Sequence, residues 1–99
     1  MKVSFIELAE AELTDAFEYY QTIIDDLGYE FVKEIELSLD RIKRFPDSYQ
    51  EIGKRSRRCL VHKFPYGIIY QIREKEILVV AISNLHREPE YWASRVPKT

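Results

Sequence analysis

The sequence predicts an α+β domain, with a helical hairpin lying on one face of an antiparallel sheet. Three observations carry this. Apolar residues recur every three or four positions from Leu8 to Phe45, with a break at Gly28. After Ser56 the spacing drops to two. The length of 99 residues suits one domain, 1–99, rather than two. A chain of this size buries roughly two thirds of its unfolded surface, enough for one core without staples.

The elements follow in order. "KVSFI" (2–6) is short and rich in β-formers, which predicts an N-terminal strand. Ala9, Leu13, Ala16, Phe17, Tyr20, Ile24 and Leu27 then form one apolar stripe, with Gly28 expected as the stop. Phe31, Ile35, Leu39, Ile42 and Phe45 form a second stripe, closed by Pro46. Two stripes joined at one glycine predict an antiparallel helical hairpin. "PDSYQEIGKRS" (46–56) reads as a loop.

Next, "RCLVHKF" alternates, with Leu60, His62 and Phe64 on one side and Cys59, Val61 and Lys63 on the other. "FPYG" (64–67) has the pattern of a turn, with Pro second and Gly fourth. "YGIIYQIR" and "EILVVAIS" supply two further strands, joined near Glu74–Lys75. The three strands form an antiparallel meander. "EPEYWAS" predicts a short C-terminal helix starting at Pro89.

Composition narrows the function. An apolar fraction of 45% and a charged fraction of 32% fit a soluble globular protein. Cys59 is the lone cysteine, which excludes an intramolecular disulfide, and His62 and His86 are too few for a closed zinc site. With no Gly-rich phosphate loop and no nucleophile elbow, neither a cofactor nor a metal is expected. "MKVSFIELAEAEL" carries acids within its apolar part, unlike a signal peptide. No apolar run approaches the ~20 residues of a membrane span, so the expected location is the cytoplasm, with no membrane partner.

The net charge of −2 hides an asymmetry. Residues 1–52 hold 5 Lys and Arg against 13 Asp and Glu, a balance of −8; residues 53–99 hold 10 against 4, a balance of +6. A basic half beside an acidic half points to an anionic partner for one face, although solvated surface charge produces the same asymmetry about as often.

Helices cover only one face of a sheet, so the other face must be polar or meet a partner. Arg55, Arg57 and Arg58 lie where the meander begins, and His86 and Arg87 lie where it ends. In a three-strand antiparallel meander those places are at opposite ends. Arg forks match phosphate oxygens, and Tyr91 and Trp92 have the faces to stack on bases. Trp92 is read first as a cap on the sheet's open end. His86 suits either general acid–base work or a plain loop hydrogen bond. His62, alternating with Leu60 and Phe64, reads as a half-buried, satisfied ring, and Cys59 as structural.

The segments "AEAELTDAFEYY" and "LGYEFVKEIELSLDRIKRFPDSY" and, more specifically, "RRCLVHKFPYGIIYQIREKEILVVAISNLHREPEYWASR" carry a resemblance over almost the whole chain. The chain resembles the RelE/ParE toxins of type II toxin–antitoxin modules. That resemblance implies a helical hairpin on a curved antiparallel sheet, and a toxin neutralised by a cognate antitoxin. RelE-like members cut mRNA on the ribosome with a cluster of Lys, Arg and a terminal Tyr or His; ParE-like members poison DNA gyrase and lack it.

The "FPYGIIY" stretch and the H-R-x-P-x-Y-W ending look ParE-like, so gyrase is the leading target. The alternative is a ribosome-dependent mRNA endonuclease. There Arg58 and Arg73 would hold phosphate and His86 or Tyr91 would move the proton during 2′-OH attack. Its Lys-rich segment survives here only as Lys54 and Arg55. Arg55, Arg57, Arg73 and Arg87 would contact the target or its phosphates in either case. An inactive binding module is the third reading. The antitoxin is expected to bring an extended acidic segment to charged strand edges at Lys2 and Arg55–Arg58.

Overall fold

A computed structural model of the chain describes residues 1–96. β1 (Lys2–Phe5) leads into α1 (Glu7–Ile23) and α2 (Leu27–Arg44), followed by β2 (Gln50–Glu51), β3 (Arg57–Leu60), β4 (Tyr66–Ile72) and β5 (Glu76–Asn84). The strand order is β1-β5-β4-β3-β2. β3, β4 and β5 form the expected meander, and β1 runs parallel to β5 with Phe5 opposite Val79. The α+β architecture is the one the sequence predicts. β2 was not foreseen: its two residues pair with Arg57 and Arg58 from within a stretch whose composition is that of a loop.

The hairpin turns earlier than expected. α1 ends at Ile23, and the chain reverses at Asp26, whose φ of 70° is left-handed. Asp tolerates that region, and Asp25 and Asp26 oppose the dipole of α1 while favouring the start of α2. Gly28 is therefore not a stop but a buried residue of the first turn of α2. Its N–H donates to Gln21 Oε1 at 2.7 Å, so α1 caps α2. A Cβ at Gly28 would meet the Phe17 carbonyl oxygen and Gln21 Cγ, both at 2.6 Å. Gly28→Ala is expected to destabilise the fold by about 1–3 kcal/mol in urea titration, although alanine is the better helix former.

α2 buries Phe31, Ile35 and Ile42 against Cys59, Val61, Tyr66, Ile68, Tyr70, Ile77, Val79 and Ile82 of the sheet. Phe31 sits at the centre of an aromatic group with Tyr20, Phe64 and Tyr66, its centroid 5.0–5.3 Å from each. The Tyr70 hydroxyl donates to the Pro46 carbonyl at 2.6 Å and ties the end of the hairpin to the sheet.

Two local expectations fail in the same loop. β3 ends at Leu60, so His62 is exposed in the connection rather than half-buried in a strand. Gly67 belongs to β4, opposite Leu60 and Ser83, and the turn lies one step earlier, with the Tyr66 N–H donating to the Phe64 carbonyl.

The open face of the sheet carries its own small core. Between the Ile69–Ala81 and Tyr70–Val79 pairs β5 has one extra residue, Val80. This bulge puts Val80 and Ala81 together with Ile69 under Trp92, flanked by Ile6, Ile52, Tyr91 and Val96. Trp92, 2% exposed, is thus the cap the sequence suggested. The segment that brings it is not a helix from Pro89 but a run of turns ending in a 3-10 turn at Ala93–Arg95.

Candidate functional site

β4 outruns β3. Arg57 pairs with Tyr70, leaving Gln71 and Ile72 beyond the start of β3. The gap is a cleft of about 510 Å³ lined by Glu51, Gly53, Arg55, Ser56, Arg57, Gln71, Ile72, Arg73 and Glu74. Arg57 is committed within it. Its guanidinium donates to the carbonyls of Asp47 at 3.1 Å and Tyr49 at 2.7 Å, and to Glu51 Oε1 at 3.1 Å, pinning β2 and the turn before it. Arg73 donates to Gln71 Oε1 at 3.2 Å. The Arg55 side chain has no hydrogen-bond partner among the described residues, and it projects from a left-handed position at φ 59°. Within this cleft Arg55, and Arg73 beyond its one bond to Gln71, keep guanidinium donors available among the described residues, suited to a carboxylate or a phosphate. Arg55 also lines a second cleft of about 640 Å³ against Lys54, Glu90, Trp92 and Val96.

Arg58 stands apart from these. It pairs with Ile69, and its stem lies over Gly67, where an added Cβ would meet Arg58 Cγ at 3.0 Å and Leu85 at 3.6 Å. His86 is exposed in the turn after β5, its N–H donating to Asn84 Oδ1 at 2.9 Å.

A third group gathers on Glu12 of α1. Its Oε1 accepts from the Ile82 N–H at 3.0 Å and from Arg95 at 2.9 Å; its Oε2 accepts from the Tyr91 hydroxyl at 2.5 Å and from Arg95 at 3.2 Å. Arg87 lies over the Tyr91 ring at 3.7 Å and reaches Glu12 Oε2 at 3.5 Å. Burial, followed by the Glu12 carboxylate, pushes the Tyr91 hydroxyl up to about 12. Burial likewise raises the Cys59 thiol, with Arg41 opposing, and the side chain lies wholly in the core.

The candidates therefore fall into separate places. Arg55, Arg57 and Arg73 share one cleft; Arg87 and Tyr91 share Glu12; Arg58 and His86 join neither, and Arg58 lies toward the His86 end of the sheet, its stem bordering Gly67 with Leu85. Asn84 pairs with Tyr66 at the start of β4, whereas Arg73 follows its end, so His86 and Arg73 lie about a seven-residue strand apart, roughly 20 Å. Glu12 and Arg95 were missed. A signal existed for Glu12, which sits between Ala9 and Ala16 at helical spacing, inside an apolar stripe where a carboxylate requires partners. Nothing comparable marked Arg95.

Among the described residues no group of three or more His, Cys, Asp or Glu could hold a metal ion, and no helix is long and apolar enough to cross a membrane.

Comparison with known proteins gives the fold a family. No curated protein sequence matches the chain. Among solved structures, a chain titled "Chromosomal ParDE TA system from P. aeruginosa" superposes with a TM-score of 0.76 at 16% identity, over 87% of this chain and 97% of that one. At that identity the likeness concerns the fold. The family described as "ParE toxin of type II toxin-antitoxin system, parDE" matches residues 3–89. With the match running from β1 past the end of β5, the chain belongs to the ParE toxin family of type II toxin–antitoxin systems.

Proposed function

We propose that this toxin acts in the cytoplasm by binding DNA gyrase, without cutting RNA, and that a cognate antitoxin neutralises it. The observation that carries this reading is the dispersal of the groups a ribonuclease would need. Cleavage by 2′-OH attack requires a proton-transfer group and phosphorane-stabilising cations around one phosphate. Here the Tyr91 hydroxyl is engaged by Glu12, and His86 and Arg73 lie roughly a strand's length apart. Family membership supplies the gyrase expectation.

Arg55 and Arg73 are the side chains we assign to the target, with Arg57 holding their cleft in shape. An acidic, extended antitoxin segment remains the expected neutralising partner. Its route differs from the edges the sequence suggested. Lys2 does lie on an edge strand, but β2 covers Arg57 and Arg58, so the open edge of β3 starts at Cys59.

The test combines gyrase supercoiling and ribosomal cleavage assays with the purified chain. Supercoiling should be inhibited and mRNA left intact. The Arg55→Glu, Arg73→Glu double variant should inhibit supercoiling at least about tenfold less strongly, the loss of one or two charge-assisted hydrogen bonds, with its melting temperature unchanged. Codon-specific mRNA cleavage that His86→Ala abolishes would replace this reading with the ribonuclease one.

A further inference from the structure

The C-terminal segment is attached to the rest of the molecule in an unusual way. Its backbone bonds from Arg87 to Val96 are turns: Arg87 to Asn84, Tyr91 to Glu88, Ala93 to Glu90, Arg95 to Trp92 and Val96 to Ala93. None is a ladder bond to the sheet. Its polar ties to the body converge on one residue, since Arg87, Tyr91 and Arg95 all reach Glu12. Among the described residues Arg95 also donates to the Val80 carbonyl, at 3.3 Å, and Ser83 of β5 lies beside the Tyr91 hydroxyl.

Those ties occupy a place where a strand is missing. β1 pairs with β5 only from Glu76 to Val79, and the Ile6 N–H donates to the Val79 carbonyl before the chain turns into α1. From Val80 onward that edge of β5 has no neighbouring strand among the described residues. Glu12 takes the Ile82 N–H and Arg95 takes the Val80 carbonyl, so an ion pair satisfies the groups a strand would have paired. Both side chains are well shielded, 15% and 14% exposed, so removing either partner leaves an unmatched, largely buried charge.

We infer that Arg87–Val96 is a strap, latched by the single carboxylate of Glu12, that opens as a unit while the helices and sheet stay folded. Its apolar attachment is local: Trp92, Tyr91 and Val96 pack on Ile69, Val80 and Ala81, with Ile6 and Ile52 at the margin, a cluster separate from the main core. The strap is reached through the exposed stretch from Leu85 to Glu90, where Glu90 stands at φ 59°. Opening it uncovers Ile69, Val80 and Ala81 together with the unpaired edge of β5. Glu12 is a positioning residue in this reading, acting through the strap.

The chain's one tryptophan, Trp92, lies in the strap and is a built-in reporter. In wild-type protein at sub-denaturing urea, Trp92 quenching by acrylamide and exchange of the Ile82 amide should rise before the helical circular dichroism falls. In Glu12→Gln, without urea, Trp92 emission should shift to the red. Its Ile82 amide should exchange at least about tenfold faster, the factor that 1.4 kcal/mol corresponds to, while the Tyr70 amide in β4 stays protected. Arg95→Met, which keeps the stem but not the charge, should do the same and serves if Glu12→Gln fails to fold. The inference is overturned if Trp92 and Ile82 stay as protected in the variants as in wild type. It is equally overturned if, in every protein, they lose protection only together with Tyr70.

Discussion

Phe31→Ala is expected to lower the unfolding free energy by about 3–5 kcal/mol, the cost of emptying a fully buried aromatic site. The ring is 0% exposed and touches Tyr20 and Phe64 as well as Tyr66, so it joins α1, α2, the loop before β4 and β4 itself. No neighbour can move into the space without breaking another of these contacts. Given the usual total of about 5–15 kcal/mol, the variant should be marginal at 25 °C. Phe17, which the sequence marks equally strongly, is only half-buried and meets Tyr29 edge-on at 5.0 Å near the surface. Phe17→Ala should cost less than about half as much. Urea denaturation of the two variants decides, and equal losses would show that the hairpin packs through another face.

Stability should also collapse in alkali. Burial raises the hydroxyls of Tyr20, Tyr49, Tyr66, Tyr70 and Tyr91 above their ordinary value of 10, Tyr91 to about 12, and raises the Cys59 thiol above 9. In each case the folded chain holds its proton more tightly than the unfolded chain does. The unfolded state therefore binds fewer protons as pH climbs, and stability falls with pH. The contributions are complete below about pH 9 and are lost from there through pH 12, as thiol and phenols ionise in the unfolded chain. Thermal melts from pH 7 to 12 should show a flat region and then a steep decline. Tyr70→Phe should reduce the slope of that decline, because Tyr70 is fully buried and raised furthest. A melting temperature indifferent to pH above 10 would contradict the burial of these phenols.

Much of the fold was legible because it depends on repeated local signals. The stripe of Phe31, Ile35 and Ile42 marks the buried face of α2, and the runs of Ile, Val and Tyr in "YGIIYQI" and "EILVVAI" mark buried strands whatever their neighbours are. The turn of the hairpin was misplaced because Gly28 is read as a C-cap by habit of type. Its real reason is a helix crossing too close for a Cβ, which is a distance between elements and not a property of the segment. β2 escaped for a related reason: its two residues hold strand geometry by pairing with β3, where Arg57 reaches over to the Tyr49 carbonyl and to Glu51.

The candidate site divides along the same line. By itself the sequence determined which kinds of group were available: basic forks in the second half, a single cysteine, two histidines, and a family resemblance carried by the meander and its ending. Which of those groups can act together was decided only by the tertiary structure. The antiparallel course of β4 sends Arg73 to one end and leaves His86 at the other. The early end of β1 leaves an edge of β5 that Glu12 and Arg95 must close, which draws in Tyr91 and Arg87. Periodicity is local and survives in the sequence. Proximity between residues 12, 82, 91 and 95 depends on where strands stop, and a single sequence carries that only through the folded chain.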